Sequence, residues 1–294
     1  LFYYVPKDVN LNSAGEDLNA RNQFRFLALT SRLWVDVNGY QIKNTKIGAK
    51  IEADFYAGLT GSTGTAQFRL RQAFVTLGWE QEKAKETLKI GQMWHPMAAD
   101  MPDIFSLNTG APFGPFSRTP VAQFDANFGQ NFGLTAAAIW QMQYTSAGPS
   151  GASANYQKYS CTPEMYLGIN VTAGGFLGRA GVNMLSICPR NLTAANLKTN
   201  ERITTLIPFM YLQYKTKFGE VPFAAKLKTV YAQAGEHLNL NGGYGVTSED
   251  ADGKYTYAPT RNSSTWLSLS VGQKFQGVLF AGYVKNFGTA KNQE

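Results

Sequence analysis

Apolar and polar residues alternate with a period of two over long stretches of this chain. Between residues 45 and 59 the odd positions are apolar, namely Ile47, Ala49, Ile51, Ala53, Phe55, Ala57 and Leu59. The even positions include Lys46, Lys50, Glu52 and Asp54. Because successive side chains of a strand point to opposite faces, this pattern predicts a β-strand with one apolar and one polar face. Its length exceeds the roughly 3–10 residues usual for strands in globular proteins.

The same alternation recurs along most of the sequence. It predicts further strands at residues 24–38, 67–79, 86–94, 121–128, 131–144, 163–172, 177–187, 203–216, 221–235, 264–274 and 277–287. Within 67–79, Arg69 and Arg71 share the face of the apolar Ala73, which predicts a β-bulge in that strand. The pattern therefore indicates an all-β protein.

Short and long connectors alternate between these strands. The short ones are residues 39–44, 80–85, 129–130, 173–176, 217–220 and 275–276, and the long ones are 60–66, 95–120, 145–162, 188–202 and 236–263. Short turns at one end and long loops at the other are typical of antiparallel up-and-down transmembrane β-barrels of bacterial outer membranes. No linker interrupts the pattern, so we expect residues 1–294 to form a single barrel domain.

Both ends of the sequence fit this pattern only in part. Leu1-Phe2-Tyr3-Tyr4-Val5 resembles the end of a strand that precedes 24–38, and the sequence stops at Lys291-Asn292-Gln293-Glu294 within a long-loop connection. A sheet with unpaired edges in lipid is costly, since each unsatisfied backbone group costs several kcal/mol, of the order of 2–7. We therefore expect that strands are missing at both ends.

Composition narrows the protein class. Charged residues make up 16% of the 294 residues and aromatic residues 13%, and the mean hydropathy is −0.24. Many aromatic and few charged residues argue against disorder. The longest apolar run, residues 277–284, is far shorter than the roughly 18 residues of a membrane-spanning helix. The net charge is +7, but Lys and Arg are scattered singly, which argues against a nucleic-acid partner.

Four short segments, taken in order, resemble a known family. They are Ser31-Arg32-Leu33, Lys50-Ile51-Glu52-Ala53-Asp54-Phe55-Tyr56, Arg69-Leu70-Arg71-Gln72-Ala73-Phe74 and Lys89-Ile90-Gly91-Gln92-Met93-Trp94. Their order and spacing resemble the DcaP-like trimeric porins of Gram-negative outer membranes, a group that includes Bacteroidetes-type porins. The likeness is clearest over residues 24–130, and Phe280-Ala281-Gly282-Tyr283 is compatible with it. Gln72 departs from the pattern, since a histidine is expected there.

This resemblance implies a homotrimer of barrels with sixteen strands each, about thirteen of them represented in this sequence. It also implies passive uptake of small, often anionic solutes, with lipid and lipopolysaccharide as the surroundings of the barrel. The implied location is the outer membrane of a Gram-negative bacterium.

The polar strand faces carry an excess of basic residues. They are Arg32, Lys46, Lys50, Arg69, Arg71, Lys89, Arg179, Lys226, Lys228 and Lys274, against the acidic Asp36, Glu52, Asp54, Asp125 and Glu164. A narrow channel with low-dielectric walls focuses the field of such charges and concentrates counter-ions. This excess predicts a pore lined by these residues with a preference for anions. The alternative is that the charges pair across strands and only stiffen the wall.

The connector at residues 95–120 combines proline with aromatic residues. Pro96, Pro102, Phe113 and Phe116 are examples. A long loop with this apolar content is expected to fold against something, and the barrel interior is available. Asp100, Asp103 and Arg118 would then line a constriction, as charged rings do in selective pores. The alternative is that the loop packs outside the pore at a trimer interface.

The remaining chemistry gives no catalytic or cofactor site. The only two histidines, His95 and His237, lie at strand-to-loop edges without the spacing of metal ligands, so both are interpreted as rim residues. Residues 248–253 resemble the start of a calcium loop, but Pro259 stands where its final glutamate would be. We therefore expect no metal, no cofactor and no enzymatic activity.

A disulfide between Cys161 and Cys188 is predicted from strand register. A two-residue turn at Gly174-Gly175 pairs residues whose numbers sum to 349, such as Met165 with Met184. The same register continues to Cys161 and Cys188, and directly opposed residues are close enough for a disulfide.

The sequence as a whole predicts an outer-membrane porin for small hydrophilic solutes. The alternative function is a surface-exposed binding protein or adhesin on a plugged barrel, carried by the long loops at 145–162 and 236–263.

Overall fold

The computed structural model describes residues 8–22, 31–57, 67–104 and 110–289. Its strands are β1 (Arg32–Ile42), β2 (Thr45–Ala57), β3 (Gln67–Glu80), β4 (Ala84–Trp94), β5 (Arg118–Phe128), β6 (Phe132–Ile139), β7 (Ala147–Gly148), β8 (Gly151–Ala152), β9 (Glu164–Ala173), β10 (Phe176–Ile187), β11 (Ile203–Phe218), β12 (Val221–Gln233), β13 (Tyr244–Glu249), β14 (Tyr255–Gly272) and β15 (Gln276–Thr289). One short helix, α1 (Asn155–Ser160), and 3-10 turns at Pro96–Ala98 and Glu236–Leu238 lie in the long connections. Among the residues described, no helix is both long and apolar enough to cross a membrane.

Thirteen of the strands form one antiparallel sheet in which neighbours in sequence are neighbours in space. The order runs from β1 to β6, then β9 to β12, then β14, which also pairs with β13 and β15. β7 and β8 form a separate small hairpin. This up-and-down arrangement confirms the predicted fold class. Within the described residues, β1 and β15 are the two ends of the sheet. The count of thirteen includes β13, which lies in a connection predicted to be a loop. The strand expected to end at residues 1–5 lies outside the described residues.

The two faces of the sheet differ as the alternation predicts. Along β11, Ile203 and Ile207 are buried while Leu206 and Met210 are 51% and 41% exposed. Apolar side chains thus point outward, whereas the inner face carries most of the charged and polar groups. Buried apolar residues, including Met97 and Trp266, form a core inside the curve of the sheet.

The bulge predicted in the third strand is present. The pairing of β2 with β3 joins Glu52 to Gln72 and then Ala53 to Leu70, so that Arg71 is skipped. The extra residue lets Arg69 and Arg71 share the inner face with Gln72 instead of alternating away from it.

Two strand boundaries within the described residues differ from the sequence prediction by five residues or more. β6 ends at Ile139, not at 144, because the Gln157 side chain of α1 takes the place of a neighbouring strand. Its amide nitrogen donates to the Ile139 carbonyl at 2.9 Å, and its oxygen accepts from the Gln141 N–H at 2.8 Å. β14 begins at Tyr255, nine residues before the predicted start, because it continues past β12 into a hairpin with β13.

The register around Gly174-Gly175 is confirmed, but the disulfide derived from it is not formed. Met165 pairs with Met184 as predicted. Beyond that pair the chain leaves the sheet, and Cys161 caps the C-terminus of α1 in the left-handed conformation with φ of 51°. Cys161 is exposed, Cys188 is buried, and both are free thiols. The disulfide prediction is wrong because it extended the register of β9 and β10 beyond the start of β9 at Glu164.

Candidate functional site

Residues 95–104 and 110–117, called the lumen segment below, run across the inner face between β4 and β5. The Asp100 carboxylate accepts a hydrogen bond from Arg179 of β10 at 2.7 Å. Asp103 forms an ion pair with Lys226 of β12 at 2.5 Å. Lys228 of the same strand donates to the Asp100 carbonyl at 3.2 Å. These contacts with distant strands confirm that the loop folds inward, and the sheet therefore curves around it.

Aromatic packing holds the other half of the lumen segment. The Phe113 ring lies 5.9 Å from the ring of Phe280 on β15. A Cβ atom at Gly282 would come within 2.3 Å of the Phe113 ring, and one at Gly114 within 2.7 Å of the Trp266 indole nitrogen. Both glycines are therefore required by close approach of the segment to β14 and β15.

A cluster of ion pairs covers the inner face of β1, β2 and β3. Arg69 binds Asp54 through two hydrogen bonds of 2.9 and 2.7 Å. Arg71 bridges Asp54, at 2.8 Å, and Glu52. Arg32 lies 3.6 Å from Glu52. Two carboxylates thus share three guanidinium groups, and the bidentate geometry is the one in which arginine binds carboxylates most strongly.

Most basic residues predicted to line the pore meet a carboxylate. The ion-paired ones are Arg32, Lys46, Lys50, Arg69, Arg71, Lys89, Arg179 and Lys226. The partners of Lys50 and Lys89 are Asp36, at 3.1 Å, and Asp125, at 3.2 Å. Pairing across strands and with the lumen segment therefore offsets much of the positive charge. Lys274 lies in the turn after β14, beyond the inner face of the strand.

Arg118 and Lys228 are placed away from open solution. Arg118 is 3% exposed, and its guanidinium stacks over the rings of Trp94, at 4.9 Å, and Phe116, at 5.7 Å. Lys228 is 1% exposed and donates to backbone carbonyls of the lumen segment, including that of Met97. Both side chains therefore contact the lumen segment and are shielded from open solution.

A polar cavity of about 650 Å³ remains between the lumen segment and the wall formed by β3 to β10. Its lining includes Gln72, Lys89, Gln123, Asp125, Asn170 and Arg179. Amide, hydroxyl and ion-paired groups dominate this surface, so the cavity suits water and hydrophilic solutes.

The two histidines meet at a buried carboxylate. Glu164, the first residue of β9, has its Oε1 3.2 Å from His95 Nε2 and 2.9 Å from His237 Nε2. The Asn183 amide of β10 donates to the same oxygen at 2.5 Å. All four side chains are at most 2% exposed, so the interpretation of the histidines as rim residues is wrong. The group is called the Glu164 anchor below.

The hydrogen bonds of the anchor fix its protonation pattern. The Met97 N–H donates to His95 Nδ1 at 3.1 Å, so the His95 proton is on Nε2 and points at Glu164. Both ring nitrogens of His95 therefore have hydrogen-bond partners, Nδ1 as acceptor and Nε2 as donor. Within the part of the chain that the structure describes, no group of His, Cys, Asp and Glu is arranged to hold a metal.

Comparisons with known proteins relate this chain to outer-membrane proteins by fold. No protein-family model matches it, and no curated protein matches it. Among solved structures it is similar to the outer membrane channel DcaP of Acinetobacter baumannii, with 18% identity, a TM-score of 0.66, and coverage of 96% of this chain and 74% of that one. OmpT, an outer membrane protein of Vibrio cholerae, matches with 12% identity, a TM-score of 0.43, and coverage of 90% and 86%. The chain therefore has the fold of an outer-membrane β-barrel, similar to that of the DcaP channel.

Proposed function

We propose that this protein is a porin, a diffusion channel for small hydrophilic solutes in the outer membrane of a Gram-negative bacterium. The observation that carries this proposal is the polar cavity beside the lumen segment, enclosed by a sheet whose other face is apolar. In the orientation that we propose for the barrel in the membrane, the short turns face the periplasm and the long loops lie at the extracellular mouth. The likeness of the fold to the DcaP channel supports it.

We further propose that the pore has a moderate preference for anions. Lys46 is neutralised by Glu80, at 2.8 Å, and Lys274 lies in a turn, so neither is counted. The remaining basic residues of the inner wall are nine, namely Arg32, Lys50, Arg69, Arg71, Lys89, Arg118, Arg179, Lys226 and Lys228. They face six carboxylates, those of Asp36, Glu52, Asp54, Asp100, Asp103 and Asp125, and nine minus six leaves three positive charges. The sequence count of ten against five differs because it includes Lys46, Lys274 and Glu164 and leaves out Arg118, Asp100 and Asp103. A small net positive charge inside low-dielectric walls still concentrates anions.

Planar-bilayer recording tests both statements. We expect discrete conductance steps and a reversal potential, across a KCl gradient, that indicates preference for chloride. Replacing Arg69 and Arg71 with glutamine should move the reversal potential toward potassium, and more so at low salt, because screening weakens exposed charges. Lys254→Gln, at the exposed tip between β13 and β14, is the matched control. Absence of conductance would favour the alternative of a surface-exposed binding protein.

The assembly that we propose is a homotrimer surrounded by lipid and lipopolysaccharide. Its support is the resemblance of the four motifs between Ser31 and Trp94 to trimeric porins, together with the apolar outer face. Native mass spectrometry from detergent should give three times the monomer mass. A monomer alone would contradict the trimer without affecting the channel.

A further inference from the structure

The Glu164 anchor joins three separate parts of the chain at the extracellular mouth. Glu164 and Asn183 belong to the barrel wall, in β9 and β10. His95 begins the lumen segment, and His237 lies in the loop between β12 and β13, residues 234–243. A single buried oxygen, Glu164 Oε1, therefore connects the wall, the constriction and an extracellular loop.

Backbone hydrogen bonds join the lumen segment and the 234–243 loop, the two loop partners of the anchor, into one unit. The His95 N–H donates to the Ser117 carbonyl at 3.0 Å, which ties the two ends of the lumen segment together. The Phe116 N–H donates to the Leu238 carbonyl at 2.8 Å, which ties the segment to the 234–243 loop. Release of the loop from Glu164 would therefore loosen the lumen segment as well.

We propose that the Glu164 anchor is a proton-sensitive latch that fastens the 234–243 loop and the lumen segment across the extracellular mouth and loosens them as the pH rises. Its effect on solute flow rests on the proposed channel function, whereas the loosening itself does not. The closed state requires a proton on His237 and a proton on Glu236, and it requires neither a metal ion nor a partner.

The charged groups around the latch come from four elements. His237 faces Glu164 of β9 and Glu236 of its own loop, and His95 faces Glu164, His237 and Lys228 of β12. The carboxylate oxygens of Glu236 are buried and receive no hydrogen bond from any described side chain. Burial therefore favours the protonated, uncharged form of the Glu236 carboxyl.

The pKa shifts of the anchor histidines and Glu236 determine whether the latch opens at high or at low pH. Burial raises the pKa of Glu236 to about 7. Burial opposes protonation of His237, but the Glu164 carboxylate outweighs it and raises the pKa of His237, and Glu236 adds a smaller contribution only where it is ionised. Burial lowers the pKa of His95, which stays neutral.

These directions fix the pH window. The raised pKa of Glu236 stabilises the closed loop below pH 4.5, and this contribution is lost as the pH rises to about 7. The contribution of protonated His237 is complete below pH 6.5 and is lost as the pH passes its raised pKa. The depressed pKa of His95 acts in the opposite direction, but only below pH 6.5. Above pH 6.5, raising the pH therefore only opens the latch.

Hydrogen–deuterium exchange of the 234–243 peptide tests the latch directly. The variant is Glu236→Gln, which keeps the shape of the side chain and cannot ionise. The ratio of exchange in the wild type to exchange in the variant at equal pH cancels the intrinsic pH dependence. Between pH 5 and 7.5 we expect this ratio to rise at least tenfold, since a pKa raised from 4.5 to about 7 allows about 60-fold. Glu249→Gln, at an exposed position of β13, should leave the ratio flat.

A second variant and a second measurement complete the experiment. His237→Gln removes the cation beside Glu164, so exchange should be faster at pH 6 and should respond less to pH above 6.5. Conductance of the wild type should rise between pH 6.5 and 8, and Glu236→Gln should reduce that rise. Identical exchange profiles for the wild type and Glu236→Gln would overturn the latch. A difference in exchange with no conductance in any variant would overturn the channel and support the latch.

Discussion

At the scale of single residues, the close approach of Phe113 to Gly282 predicts a strong steric effect. Gly282→Ala places a Cβ atom within 2.3 Å of the Phe113 ring, so the ring and its segment must move. Overpacking of this kind costs about 1–3 kcal/mol. Urea unfolding in lipid vesicles should show a loss of stability in that range. Gly277→Ala on the same strand is the control, because its Cβ would meet only Val271 at ordinary contact distance. Equal effects of the two substitutions would contradict the packing of the segment against β15.

At the scale of elements, one arginine joins two of the long connections. Arg190 binds Glu201 through two hydrogen bonds of 2.8 and 2.6 Å and stacks 3.6 Å from the Tyr255 ring centre. Glu201 also accepts from the Tyr255 N–H and the Tyr257 hydroxyl, each at 2.9 Å. The 188–202 loop is thereby fixed to the hairpin of β13 and β14.

This connection predicts loosening of the loop at acid pH. Burial opposes ionisation of Glu201, but the hydrogen bonds from Arg190 and Tyr255 lower its pKa to about 2. A lowered carboxyl pKa contributes stability above pH 4.5, and the contribution is lost as the pH falls toward 2. The ratio of the exchange rate of the 188–202 peptide in the wild type to its rate in Glu201→Gln should therefore rise as the pH falls from 5 to 3. Parallel profiles for the two proteins would contradict the prediction.

The lumen segment gives a second prediction at this scale. Replacing Asp100 and Asp103 with asparagine removes the ion pairs to Arg179 and Lys226 and leaves the inner wall more positive by two charges. Single-channel current should become noisier, and the reversal potential should move further toward chloride. Asp250→Asn, on an exposed loop tip, should change neither property. An unchanged reversal potential would show that the segment lies outside the ion path.

At the scale of the whole molecule, the apolar outer face predicts a penalty for charge in the membrane. Leu206 points outward from β11 opposite Met184, and its side chain is 51% exposed. Arginine on the lipid face of a barrel costs about 2–4 kcal/mol near the midplane of the bilayer. Leu206→Arg should lower the unfolding free energy in vesicles by up to that order, while Leu206→Met should lower it by less than about 1.5 kcal/mol. Similar values for both substitutions would place this face in water.

The sheet is predictable from local sequence, because each strand carries its own alternation of apolar and polar residues. The pairing of Met165 with Met184 follows from a local turn at Gly174-Gly175, and the bulge at Arg71 follows from the local break in alternation. Both features depend on residues that are close along the chain. The inward course of the 95–120 loop was also predictable, since its apolar residues needed a surface to cover.

Which side chains from distant parts of the sequence come together depends on the tertiary structure. His95 lies 69 residues before Glu164, and His237 lies 73 residues after it, so no spacing in the sequence connects them. The same is true of Asp100 with Arg179, which changes the charge balance of the pore. The predicted disulfide between Cys161 and Cys188 fails for a related reason. Cys161 lies at the end of a helix, where the register of the strands does not apply. Periodicity fixes the direction in which a side chain points, whereas its partner depends on how loops from separate strands fold together.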